Sequence, residues 1–99
     1  MTPTMNVLQI ELARHALGLD GRHDRTWRNH FVTGSGNTDH PLWLEMVVAG
    51  FAVRRPGSPI TGGDDLFHLT RVGAATALRL GEAIGPKTRF PPEPVRVDA

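Results

Sequence analysis

No cysteine occurs among the 99 residues. Disulfides, thiolate metal sites and thiol catalysis are therefore excluded, and the absence suits a reducing compartment. Long apolar runs are also missing. Residues 42–53 come nearest, but Glu45 and Gly50 interrupt them, and a bilayer span needs ~20 residues. The opening Met1-Thr2-Pro3-Thr4-Met5-Asn6 has no basic stretch, so no secretory leader is expected. Membrane association is not expected either, and a cytoplasmic location is. Lysine is nearly absent: Lys87 stands alone against ten arginines, and the net charge is only +1. So small a charge gives little long-range pull on a polyanion. Arginine nevertheless suits bidentate contact with carboxylates and phosphates, and a GC-rich genome would also write it by default.

What is present fits one domain, by the usual ~100–200 residues per domain. Asn6 and Gln9 have the spacing of a capping box, and Met5 with Ile10 that of a hydrophobic staple. Leu8, Leu12 and Ala16 continue a helical stripe up to Gly18, so the pattern predicts a helix over 7–17. Arg22, Arg25 and Arg28 recur every third residue, which would place them on one side of a short helix. Thr33-Gly34-Ser35-Gly36-Asn37 reads as a loop. Asp39 as N-cap, Pro41 in the first turn and Gly50 at the end frame a helix over 40–49. Strands are expected at 51–55 and 66–69, separated by a turn rich in glycine and proline. Thr70 would cap a last helix over 71–83. The prolines from Pro86 onward suggest an extended or disordered tail over 86–99, leaving a domain over 1–85.

Candidate sites follow from residue type and spacing. Arg14, Arg22, Arg25 and Arg28, with Trp27 and His30 beside them, would suit phosphate contact plus base stacking. The same set would suit an acidic protein surface, or be a solvated face with Trp27 in the core. Arg54 and Arg55 alternate faces in a regular strand, so one of the two should face solvent. Trp43 is most simply a core residue, and becomes an interface residue only if exposed. The histidines His15, His23, His30, His40 and His68 lack zinc spacing, so no metal is expected. Gly34-Ser35-Gly36 has no following Gly-Lys-Ser/Thr and reads as a connecting loop rather than a phosphate cradle. Asp64 and Asp65 follow Gly62-Gly63 as turn aspartates commonly do. Ser35, Ser58 and the threonines have no recognisable base, so no enzyme and no cofactor is expected.

The segments Leu44-Glu45-Met46-Val47-Val48-Ala49-Gly50-Phe51-Ala52-Val53-Arg54-Arg55 and Leu66-Phe67-His68-Leu69-Thr70-Arg71-Val72-Gly73-Ala74-Ala75 resemble the second half of a winged-helix domain of the MarR and PadR kind. In those families a helix ends in a glycine and an apolar residue. A basic strand, a wing and a second strand follow, leading into a Leu-Thr-x-x-Gly helix start. The resemblance covers roughly residues 39–80 and implies an α+β fold, mainly helical and winged-helix-like, with one β-hairpin. Residues 28–34 and 59–67 also resemble small proteins of phages and prophages, which implies a host-cell setting.

Two functions remain open on this reading. One is a nucleic-acid-binding regulator using Arg22, Arg25, Trp27, Arg28, His30, Asn37, His40, Trp43, Arg54 and Arg55. The other is a protein-binding module, such as an inhibitor of a host defence complex of the anti-CRISPR type, or a virion component. The helix in the recognition position offers Asp39, His40, Trp43 and Glu45, whereas base reading favours Arg, Lys, Asn or Gln. That departure favours the protein partner on this one point, while the helix–hairpin–helix pattern with the Arg22, Arg25, Arg28 and Arg54-Arg55 cations keeps nucleic-acid binding the leading expectation. Val72, Ala75 and Leu78 are expected to form a homodimer interface along the last helix.

Overall fold

The computed structural model describes residues 4–92. The leader expectation at Met1–Pro3 and the tail expectation at 93–99 lie outside the described residues. The described chain forms three α-helices and a three-stranded antiparallel sheet, an α+β arrangement.

Helix α1, Val7–Leu17, begins as the sequence implies. Gln9 N–H donates to the Asn6 side chain at 2.8 Å, and Asn6 N–H donates to the Gln9 side chain at 3.0 Å. Met5 and Ile10 both join the core. Gly18 ends the helix at φ +81°, and Leu19 N–H reaches back to Arg14 O at 3.0 Å, which is the Schellman closure. A Cβ on Gly18 would lie 2.1 Å from the Trp27 indole nitrogen, so glycine is required twice over.

Residues 22–28 do not form the expected helix. They form bends and irregular backbone with one isolated bridge, Arg25 to Ala83, and their backbone N–H groups find partners elsewhere. Trp27 N–H donates to Leu17 O and His30 N–H to Ala16 O, covering the last turn of α1, while Thr26 N–H donates to Ala83 O. The chain then enters a strand that the sequence pattern does not predict, β1, Phe31–Thr33, which takes in the first residue of the expected loop.

Helix α2, His40–Val48, and strands β2, Ala52–Arg55, and β3, Asp65–Leu69, lie within a residue or so of expectation. Asp39 is a correction in detail. Its carboxylate makes no capping bond and instead accepts the Thr33 hydroxyl. The sheet order is β1-β3-β2, with Phe31 opposite Phe67 and Arg54 opposite Phe67 on the other edge. Phe31, Phe67, Leu69 and Ala52 face the helices. Trp43 of α2 stacks between Phe31 and Phe67, with ring centroids 5.1 and 5.3 Å away. Alternation sends Val32, Leu66, His68, Val53 and Arg55 to the opposite, outer face.

Helix α3 is Arg71–Ala77, not 71–83. Thr70 caps it by accepting Gly73 N–H. It stops because Arg14 Nη1 donates to Ala77 O and Glu82 folds back onto the same guanidinium, so Leu78 leaves the helix in an extended conformation. Of the residues expected at a dimer face, Val72 and Ala75 lie exposed on this helix. Val72 is 61 % exposed while Leu78 packs into its own core. Residues 86–92 have no regular structure, but Thr88 is buried and Phe90 packs on the core. No helix among the described residues is long and apolar enough to cross a membrane.

Candidate cationic groove

Thirteen residues separate α1 from β1, and they return along the end of the helix before entering the sheet. That return puts Arg28, Asn29 and His30 beside the outer face of the hairpin. The segment after α3 comes back to the same place. Three contacts hold it there. The Thr26 and Thr88 hydroxyls share a hydrogen bond at 2.6 Å. Asn29 Nδ2 donates to Arg89 O at 2.9 Å. The Arg71 guanidinium lies 4.7 Å from the Phe90 ring centroid. Asn29 is buried and also pairs with both backbone groups of Leu69, at 2.7 and 2.9 Å, so it joins β3 to the returning segment.

Between these segments lies a groove of about 370 Å³. Arg28, Asn29 and His30 line it, together with Arg55 of β2 and His68 of β3, and with Lys87, Arg89, Phe90, Pro91 and Pro92. Four of its residues are cations and none is a carboxylate. The guanidinium–carboxylate pairs among the described residues lie elsewhere: Arg14–Glu82, Arg54–Asp65 and Arg79–Glu11. Arg28 is held by donating to His15 O at 2.7 Å and by stacking 4.8 Å from the Trp27 centroid. His68 Nδ1 donates to Asn29 O at 2.7 Å, which leaves Nε2 for other partners. A cluster of like charges facing a concavity favours an anion there.

The structure sorts the residues that the sequence singled out. Arg28, His30 and Arg55 come together in the groove. Arg22 and Arg25 are exposed but do not line it, and Trp27, 45 % exposed, backs Arg28. Asn37 sits in the turn before α2 and donates to the Thr33 hydroxyl. Trp43 is fully buried, so it is a core residue and no interface anchor. His40 and Arg54 are both engaged by the Asp65 carboxylate. Asp65 accepts from His40 Nε2 at 2.9 Å, from Arg54 at 2.7 and 3.1 Å and from Gly57 N–H at 3.0 Å. The Arg54 guanidinium, then His40, holds the Asp65 carboxyl down at about 2. These bonds close the loop between β2 and β3, and of the Arg54-Arg55 pair they leave Arg55 to the outer face. Lys87, Arg89 and Phe90 went unread in the sequence, hidden in a proline-rich stretch. His68 carries no signal in the sequence beyond its type.

A second cavity, of about 510 Å³, opens between α1 and α2. It is mainly apolar, with Leu8, Leu12, Phe31 and Leu42, and it carries Glu11 and Asp39, so it does not suit an anion. No group of three or more potential ligands able to hold a metal ion occurs among the described residues. Comparison with protein-family models, curated proteins and solved structures gives no match to this chain.

Proposed function

We propose that the protein is a nucleic-acid-binding accessory protein that takes the sugar–phosphate backbone in the cationic groove. One observation carries the reading: Arg28, Arg55, Lys87 and Arg89 converge on one concavity that no described carboxylate lines. Nucleic-acid affinity comes largely from such neutralisation of phosphates by Lys and Arg. The order helix α2, Gly50-Phe51, strand β2, loop, strand β3 and Thr70-capped helix supports a winged-helix-like hairpin unit, as the resemblance implies. The binding face differs from the one that resemblance suggests. The exposed positions of α2 include Pro41, Leu44, Glu45 and Val48, which offer no cation and no side-chain amide. A small regulator or accessory factor of a phage or prophage fits this reading.

The test is a titration of labelled oligonucleotide, single-stranded and duplex, at several salt concentrations. The affinity should fall as salt rises. Replacing Arg55 or Arg89 with Ala should reduce the slope of log affinity against log salt by about 0.7–0.9 per lost phosphate contact. An absence of binding at low salt, or variants with wild-type slope, would exclude the groove as a nucleic-acid site.

A further inference from the structure

We infer that the nucleic acid taken by this groove is single-stranded, with an unpaired base against Phe90 and the flanking phosphates on Arg55, Lys87 and Arg89. The inference rests on the proposed function and adds the form of the ligand.

Three observations carry it. First, the cations sit in a concavity of about 370 Å³, not on a protruding element. That volume is of the order that encloses small ligands (~300–1,000 Å³), so it matches a nucleotide and not the rounded surface of a duplex. Second, an aromatic ring stands among the cations. Phe90 lines the groove, and the Arg71 guanidinium, 4.7 Å from its centroid, supports the ring. Base–aromatic stacking beside a basic track is how sequence-tolerant proteins hold single strands. Third, the elements that would enter a duplex lack the chemistry to do so. The loop between β2 and β3 is Pro56-Gly57-Ser58-Pro59-Ile60-Thr61-Gly62-Gly63-Asp64, with no cation, and its Ile60 is almost fully exposed. Major-groove readers place Arg, Lys, Asn or Gln on a projecting helix or ribbon.

Anisotropy titrations with one oligonucleotide, alone and annealed to its complement, test the inference at low salt. The single strand should bind at least tenfold more tightly. Phe90→Leu keeps apolar bulk in the core and should weaken single-strand binding by roughly tenfold, because one stacked base contributes ~1–3 kcal/mol. It should leave the salt slope unchanged, since the phosphate contacts remain. Phe90→Trp should bind at least as well as wild type, with its added indole fluorescence quenched by the single strand. Thermal melts establish that each variant is folded. Where Phe90→Leu fails to fold, the quenching of Phe90→Trp decides alone. Equal binding of the two forms, or folded aromatic and aliphatic variants of equal affinity, would overturn the single-strand inference while leaving the proposed function standing. Failure of both forms to bind would remove both.

Discussion

Arginine plays two roles in this chain, and the difference lies in what each guanidinium touches. Arg14 is buried, donates to Glu82 and to Ala77 O, and so fastens the end of α3 to α1. Its partner shows the effect: the Arg14 guanidinium holds the Glu82 carboxyl down at about 2. Arg54 does the same for Asp65. A carboxyl whose folded pKa lies below its unfolded value stabilises the fold fully above the unfolded pKa, and loses that contribution as pH falls through the folded one. The ordinary glutamate value is ~4.3, so stability should hold down to about pH 4.5 and then decline toward pH 2. Glu82→Gln should be less stable than wild type at neutral pH, with the gap closing between about pH 4.5 and 2. Urea denaturation across that range measures it. Parallel pH profiles would mean that Glu82 is not ion-paired in solution.

At the scale of elements, local signals were legible where partners are local. The capping box at Asn6 and Gln9, Gly18, and Thr70 each work within a few residues, and α1 and the start of α3 follow them. The misreadings occur where distant partners decide. Spacing by three suggested a helix through Arg22, Arg25 and Arg28, yet the carbonyls at the end of α1 capture the backbone of Trp27 and His30. Alanine and leucine spacing suggested that α3 continues to 83, yet Arg14, sixty-three positions from Ala77, caps it early. The Leu69-Thr70-x-x-Gly73 start shows how a motif encodes packing. The Thr70 hydroxyl donates to Gly50 O and accepts Gly73 N–H, while Gly73 rests on Phe51. A Cβ on Gly73 would lie 2.0 Å from Phe51 O. Alanine improves helix propensity by ~1 kcal/mol over glycine. Gly73→Ala should nevertheless destabilise, by about 2 kcal/mol or more, because backbone must shift, as in other overpacked sites. A neutral or stabilising result in urea denaturation would mean that α3 does not sit on Phe51.

For the whole molecule, the near-zero net charge conceals a separation of charges. Carboxylates pair with Arg14, Arg54 and Arg79 around α1 and the β2–β3 loop, while Arg28, Arg55, Lys87 and Arg89 gather in the groove. A sequence can list these residues but not assemble them, since the groove joins segments about sixty positions apart through Asn29 and Thr26. The groove therefore exists only while residues 86–92 are docked, and docking and binding are linked. Thr88 is the residue on which to test this, because it is buried, its hydroxyl meets Thr26, and it does not itself line the groove. Thr88→Val keeps the shape and removes that bond, at a cost of ~1 kcal/mol of stability. Amide exchange at Thr88, whose N–H donates to Gly85 O, should quicken. Oligonucleotide affinity should fall in proportion to the docked fraction, because binding must first restore the docked segment. Saturating oligonucleotide should in turn slow the exchange in wild type, since a ligand that binds only the docked form stabilises it. A Thr88→Val protein in which the undocked form is the major population but which binds with unchanged affinity and salt slope would place the binding site outside the groove. Faster exchange and a proportionate loss of binding together would tie recognition to the docking of residues 86–92 beside the sheet.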